Sequence, residues 1–167
     1  DVNIFTPGSS AGIPVSIVAS LAAPAPEVME DAEIFTQRVE SSVTSLLGLA
    51  GVEGDPVQSP AHILLSNIFT TCWQKGQDVT LESLVKMIQQ PPFRKVGVVP
   101  LDDFLSEKKR TELAMKLNNL IASPSFAAWL EGVPLDIQKM LHSADGKPRV
   151  SIFSIAHLSD EQRMFFV

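Results

Sequence analysis

The densest group of basic residues in the chain is Lys108-Lys109-Arg110, and Lys116 follows on the same predicted helix. Such a cluster suits an anionic partner, either a nucleic acid or a neighbouring acidic subunit. Arg94-Lys95 would extend the cluster if the two stretches lie close in space. A solvated helix face is the default interpretation, because most runs of charge are of that kind. The candidate contacts for an anionic partner are therefore Lys108, Lys109 and Arg110.

A second motif, Gly8-Ser-Ser-Ala-Gly12, contains the small residues of a phosphate-binding loop. A Walker A loop has four residues between its glycines and then Lys and Ser or Thr, so that backbone N–H groups and an ammonium hold the phosphates. In this chain three residues separate the glycines, and Ile13-Pro14 follows them. Because the charged member of the motif is missing, the sequence indicates a plain turn.

Other combinations of reactive residues do not predict a catalytic or metal centre. No zinc-type spacing connects the residues that most often bind that metal, which are His62, His142, His157 and Cys72. A Ser/His/Asp triad assembles in space and stays open, although no GxSxG elbow is present. Asp102-Asp103 and Asp145 could bind a metal or act as acid and base, but turn chemistry explains both. We expect no catalytic, cofactor-binding or metal-binding residue in this chain.

Composition predicts a globular domain without a membrane span. The chain has 167 residues, of which 45% are apolar and 19% are charged, which is enough for a hydrophobic core. Its net charge of −6 argues against a dedicated nucleic-acid module, which usually carries a basic face. No run approaches the roughly 18 apolar residues of a membrane helix. The single cysteine, Cys72, fits a reducing cytoplasm.

The predicted elements are mainly helical. Alternating residues predict a strand over Val2–Thr6, an extended piece over Ile13–Val18 and a closing strand over Val150–Ile155. An apolar stripe from Val28 to Ala50 predicts one long helix that begins after Pro26. Cap and proline signals predict the other helices, at Ser59-Pro60, Thr80, Ser106, Ser123-Pro124 and Pro134. The expected fold is mainly α, a bundle of about six helices whose terminal strands pair as a small remnant sheet, an α+β arrangement at the two ends.

Three segments follow from this order of elements: a terminal strand segment over 1–20, a helical insertion domain over 21–148, and a strand with the start of a truncated helix over 149–167. The chain begins at Asp1 without a methionine and ends within Phe165-Phe166-Val167, which we interpret as an excised segment of a larger protein. We expect residues 149–167, including Phe165 and Phe166, to expose apolar surface here that the parent covers. Such a patch favours self-association, most simply as a dimer.

The two end segments, VNIFTPGSSAGIPVSI and PRVSIFSIAHLSDEQRMFFV, resemble parts of the HerA/FtsK-type P-loop ATPases, in particular the HerA-like DNA helicase and translocase group. In that family a Walker A strand, loop and helix come before the first segment, and the Walker B strand follows the second. Residues 1–20 and 149–167 match that order. The resemblance therefore places this chain between the Walker A and Walker B motifs, with 21–148 as the helical insert.

The resemblance implies a cytoplasmic, ring-forming ATPase that moves along or processes DNA. ATP and Mg²⁺ would be cofactors of the parent alone, because this sequence contains neither GK[ST] nor an apolar strand that ends in Asp-Glu. We therefore expect a non-catalytic segment that contacts the rest of the parent ATPase, other subunits or DNA, and no membrane. A free-standing helical protein-interaction module is the alternative. A weaker third possibility is an independent enzyme whose site assembles in space.

Overall fold

The computed structural model describes residues 2–16, 21–135 and 137–166, without the side chains of residues 137, 138, 164 and 165. About half of the described residues are helical, which confirms the predicted mainly α class. The described part contains nine helices where the sequence predicted about six. They are α1 (Pro26–Glu30), α2 (Ala32–Leu49), α3 (Pro60–Gln74), α4 (Leu81–Gln89), α5 (Leu101–Phe104), α6 (Glu107–Ala122), α7 (Pro124–Ala127), α8 (Ile137–Leu141) and α9 (Asp160–Phe166).

Six short strands form three two-stranded sheets within the described residues. They are β1 (Val2–Phe5), β2 (Val15–Ser16), β3 (Lys95–Val96), β4 (Val99–Pro100), β5 (Val133–Pro134) and β6 (Val150–Phe153). β1 pairs in parallel with β6, and β2 pairs in parallel with β5, whereas β3 and β4 form an antiparallel hairpin. The predicted pairing of the two terminal strands is thus confirmed. The last two residues of the extended piece predicted over Ile13–Val18 lie outside the described residues.

Contacts divide the chain into two units, which we call the terminal unit (residues 1–20 and 121–167) and the helical unit (residues 21–120). The first boundary coincides with the one predicted from the sequence. The second lies after residue 120, whereas the predicted division placed it after residue 148. Residues 121–148 belong to the terminal unit because β5 pairs with β2 and because the Trp129 ring packs against Gly8.

In the terminal unit, the β1–β6 pair supplies one wall of a small core. Phe5, Val15 and Met140 are buried together, and four partly buried side chains pack on them: Ile13, Leu135, Phe153 and Phe166. Ser151 Oγ donates a hydrogen bond to Met140 O at 2.6 Å, which fixes α8 beside β6. The closing strand ends at Phe153, two residues earlier than predicted.

The helical unit has its own core, built on α3. Its buried side chains include Leu64, Leu65, Ile68, Phe69 and Trp73, so the prediction of a central buried helix is confirmed. The Trp73 ring meets Phe69 edge to face, and its Nε1 donates to Leu21 O at 3.2 Å. α4 begins at a capping box, in which Thr80 Oγ1 accepts from Ser83 N and Ser83 Oγ accepts from Thr80 N.

The long first helix predicted from the apolar stripe is two helices. Asp31 adopts an extended conformation between α1 and α2, and its Oδ1 accepts hydrogen bonds from Glu33 N and Ile34 N. An Asp in that position caps a new helix, so local capping chemistry interrupts a stripe that continues through it. The buried face of α2 is nevertheless the predicted one, with Phe35, Val39, Val43 and Leu46 inside.

Two stretches differ further from their predicted elements. The β3–β4 hairpin was not predicted; Gly97, with φ +61°, is the first central residue of its two-residue turn, the position that requires glycine in a type II′ turn. In the terminal unit, Pro134 lies in β5 instead of starting a helix, because it pairs with Ser16, and α8 begins only at Ile137.

Candidate functional site

One face of the β1–β6 pair is apolar and uncovered. The register aligns Val2 with Val150 and Ile4 with Ile152, so these four side chains share a face. They are 65%, 56%, 53% and 47% exposed, respectively. On the opposite face Phe5 stacks on Phe153 with ring centroids 5.1 Å apart, and the core covers them. We call the four residues Val2, Ile4, Val150 and Ile152 the bare face.

The bare face changes the prediction about exposed apolar surface in residues 149–167. Phe166, which was expected to be exposed, is partly buried, with its ring centroid 5.5 Å from that of Phe153 and 6.5 Å from that of Trp129. The side chain of Phe165 lies outside the described residues. Among the described side chains of this segment, the large apolar ones that are exposed are instead Val150 and Ile152. Sequence alternation missed them because both faces of β1 and β6 carry apolar residues.

The loops that follow β1 and β6 meet at the carboxyl ends of these strands. His157 Nε2 lies 2.9 Å from Pro7 O. In the Thr6–Gly12 loop, Gly12 N donates to Thr6 Oγ1 at 2.9 Å and Ala11 N donates to Ser9 Oγ at 3.2 Å. Ser9 N donates to Thr6 O. The loop therefore uses several of its N–H groups for its own turn, whereas a phosphate-binding loop directs them toward a ligand.

The predicted anion-contact residues separate into two exposed lysines and one buried arginine. Lys108 and Lys109 are exposed in the first turn of α6. Arg110 is only 5% exposed, and its Nη1 donates to Asp102 Oδ1 at 2.8 Å and to Leu105 O at 2.7 Å. This corrects the interpretation of Arg110 as a partner contact, because its charge already pairs with a carboxylate of α5. Asp102, considered as a metal ligand or acid, has this structural use.

Negative charge is concentrated in residues 27–55, which we call the acidic segment. It contains seven acidic residues and one basic residue, Arg38, for a net charge of −6. This equals the net charge of the whole chain, so the remainder is neutral overall. All seven acidic side chains are exposed: Glu27, Glu30, Asp31, Glu33, Glu40, Glu53 and Asp55. They lie on α1, at the N-cap of α2, on α2 itself and in the loop before α3.

A groove of about 450 Å³ lies between α2 and α3, beside the acidic segment. Its lining combines apolar side chains, such as Phe35, Val39 and Ile63, with polar ones, such as Glu40, Asn67 and Thr70. Sequence reasoning did not identify this groove. The one feature of the sequence that could have indicated it is Ile63. This residue is apolar but lies outside the buried set of α3, so it is available to line a groove.

Four titratable groups of the described residues have pKa values shifted by their surroundings. One is the exposed Glu161, whose pKa is lowered by hydrogen bonds from its own backbone N–H and from Ser159. Burial lowers the pKa of His62, although the nearby Asp55 carboxylate partly opposes the shift. Burial raises the pKa of the Cys72 thiol, whose Sγ contacts Met87 Sδ. Hydrogen bonds from Ser143 and Lys147 lower the pKa of the exposed Asp145 carboxyl. The surroundings of Cys72 thus disfavour a reactive thiolate, and Asp145 belongs to a turn.

No protein-family model, curated protein or solved structure matches this chain. No helix in the described ranges is long and apolar enough to cross a membrane. Among the same residues, no three His, Cys, Asp or Glu side chains are grouped to hold a metal ion. The features that bear on function are therefore the bare face, the acidic segment with its groove, and the exposed lysines of α6.

Proposed function

We propose that this chain is a non-catalytic helical segment of a larger ATPase of the HerA-like type. In this proposal β1 and β6 are neighbouring strands of the parent's parallel sheet, and the helical unit between them makes contacts with subunits, partners or DNA. The parent, and not this chain, binds ATP and Mg²⁺ and acts in the cytoplasm. The single observation that carries the proposal is the bare face of the parallel β1–β6 pair.

Parallel sheets support this reading because they occur almost only where both faces are covered. Here Phe5 and Phe153 are covered from one side, whereas the four β-branched residues of the bare face remain in solvent. A two-stranded pair is also marginal by itself and usually belongs to a larger sheet or packs on a helix. An additional layer over the bare face would complete an ordinary α/β arrangement.

The energy of covering the bare face favours a segment of the same polypeptide over a separate molecule. Full burial of a Val or Ile side chain stabilises by about 1.5–3 kcal/mol. The four residues keep roughly half of their exposure, so covering them would gain about 3–7 kcal/mol. A separate molecule would lose about 4–15 kcal/mol in translational and rotational freedom. Because a covalently connected segment avoids most of that loss, the face suits an intramolecular layer.

Within this proposal the helical unit provides the contact function. Lys108 and Lys109 are the candidate residues for an anionic partner, which is DNA or an acidic surface of a neighbouring subunit. Self-association of this chain stays a prediction, as a dimer in isolation and as a ring in the parent. The bare face alone is a weak basis for self-association, because the free energy gained by covering it does not exceed the loss of translational and rotational freedom.

A free-standing helical protein-interaction module is the second candidate, and one observation favours it. The helical unit has its own buried core, which includes Phe69, Trp73, Leu84, Ile88 and Leu117. A domain with such a core could act as a contact module without an ATPase around it. In that case the strand pair would serve only to hold the two termini together.

The experiment that tests the proposal compares two lengths of the protein. Nucleotide binding and ATP hydrolysis are measured for this chain and for the same chain extended in both directions to its natural ends. We expect hydrolysis by the long form and none by this chain. Nucleotide binding by this chain would contradict the non-catalytic role. Inactivity of both forms would contradict the ATPase assignment and favour the interaction module.

A further inference from the structure

Negative and positive charge are concentrated in different segments of the helical unit. The acidic segment carries −6, whereas residues 94–120, which we call the basic segment, contain six basic and four acidic residues for a net charge of +2. Within the described residues, no ion pair involves the acidic side chains of the acidic segment. The same holds there for Lys108, Lys109 and Lys116. The glutamates of the acidic segment and the three lysines of α6 are therefore available to pair with another molecule, whereas Arg110 is already paired with Asp102.

The outward face of α6 combines positive charge with one exposed apolar side chain. Lys108, Glu112, Met115 and Asn119 are spaced by three and four residues and share one side of the helix. Met115 is 49% exposed, and Lys109 and Lys116 lie beside this line. The residues one turn from Met115 are polar, and Lys116 follows it in sequence, so Met115 is a single flexible apolar side chain that could anchor a docked helix.

The groove between α2 and α3 has the complementary character. Its lining includes the apolar residues Phe35, Val39 and Ile63 and the acidic residue Glu40. Three other acidic residues are sequence neighbours of lining residues: Glu30 follows Met29, Asp31 precedes Ala32, and Asp55 precedes Pro56. The groove thus combines apolar lining residues with one lining carboxylate, Glu40, in a segment with a net charge of −6, which fits a basic helix with an apolar anchor.

We propose that α6 of one copy of this chain docks in the α2–α3 groove of a second copy, with Met115 as the anchor and Lys108 and Lys109 facing Glu40 and the other glutamates of the acidic segment. This inference rests on the proposed contact role of the helical unit and names its partner. The contact joins two different surfaces, so it is heterologous, and repetition produces a closed ring or a filament. A nucleic acid suits the surface less well, because it would not use Met115 and would be repelled by the net charge of −6.

A charge exchange between the two surfaces tests the proposal. The first variant carries Lys108→Glu and Lys109→Glu, and the second carries Glu30→Lys and Glu40→Lys. Sedimentation velocity of each, at low and high salt, measures self-association. We expect the wild-type chain to associate at low salt and each variant to associate at least about tenfold more weakly, because like charges then face each other. An equal mixture of the two variants should recover association, since the exchanged charges are again opposite.

Two controls separate this contact from general effects of charge and folding. The double variant Lys75→Glu and Lys86→Glu alters the net charge by the same amount as the first variant, but at other positions of the helical unit. It should leave association unchanged. Met115→Ala alters an exposed side chain, so it should keep the thermal midpoint and weaken association.

A wild-type chain that stays monomeric at low salt, or a mixture that fails to associate, would overturn the proposal. Loss of binding to a DNA duplex in the first variant, without any change in association, would overturn it in favour of nucleic acid. ATP hydrolysis by the long form is independent of these results, so the two proposals can fail separately.

Discussion

Replacing Gly8 by alanine tests how the loop after β1 packs on Trp129. Gly8 has a φ of +68°, and a Cβ atom there would lie 2.7 Å from Trp129 Cε2. Gly76 has the same φ of +68°, but no heavy atom lies within 4 Å of its Cβ position. Gly76→Ala is therefore a matched control for the backbone conformation alone.

The two substitutions share a backbone cost and differ in a steric one. An alanine in the left-handed region loses about 1–2 kcal/mol, and its more restricted unfolded chain offsets about 0.4–1 kcal/mol of this. At Gly8 the indole ring must also move, and overpacking of this kind costs about 1–3 kcal/mol. We expect Gly76→Ala to lower the free energy of unfolding by about 1 kcal/mol and Gly8→Ala to lower it by about 2–4 kcal/mol.

Urea denaturation of the two variants, followed by tryptophan fluorescence and circular dichroism, measures these differences. A Trp129→Phe background is the second test, because it removes the indole atoms that a Cβ at position 8 would meet. There the extra loss caused by Gly8→Ala should decrease to that of Gly76→Ala. Equal losses for Gly8→Ala and Gly76→Ala in the wild-type background would refute the packing of the loop on Trp129.

Three further predictions concern the helical unit. Burial lowers the pKa of His62 in the folded chain. As the pH decreases, the unfolded chain, in which the pKa of this residue is near 6.5, therefore binds the proton first. The free energy of unfolding should consequently fall below about pH 6.5. His62→Leu should flatten this slope in urea titrations between about pH 7 and 5, and an unchanged slope would refute the assignment. Thr80→Ala should lower the free energy of unfolding by about 0.5–2 kcal/mol, measured by thermal unfolding, because it removes the cap hydrogen bond from Ser83 N. Ser59→Ala is the control and should lower it much less, because Ser59 is an N-cap residue without a side-chain hydrogen bond. Equal losses would contradict this prediction. Asp102→Asn should lower the free energy of unfolding by about 1–2 kcal/mol in the same assay, because it leaves the buried charge of Arg110 without its carboxylate partner. No change in the free energy of unfolding would show that water replaces the carboxylate of Asp102 fully.

Helix starts could be predicted from the sequence because their signals are local. Ser59-Pro60 precedes α3, Thr80 precedes α4, and Ser123-Pro124 marks the start of α7. In each case a cap residue or a proline determines the backbone of its own turn, so no distant contact is needed. The pairing of β1 with β6 was also predictable, because the chain offers two clear terminal strands.

Features that depend on distant residues could not be predicted. Arg110 looked like part of a basic surface, and only the position of α5 shows that its guanidinium reaches Asp102 and Leu105 O. The bare face required the strand register, because β1 and β6 carry apolar residues on both sides. The β3–β4 hairpin left a signal in Gly97 between valines, but its strands have two residues each, too few for a periodic pattern.

Thiol labelling at Val150 measures whether the bare face is covered in a larger protein, as we propose. The only natural thiol in this chain, Cys72, is buried, and burial raises its pKa, so it contributes little background labelling. Val150→Cys is labelled with a maleimide in this chain and in the chain extended to its natural ends. Val98→Cys, at a position that is 91% exposed, is the control in both. We expect rapid labelling of Cys at both positions in this chain, and protection of position 150 alone in the long form. Equal labelling of position 150 in the two lengths would show that nothing in the larger protein covers the bare face.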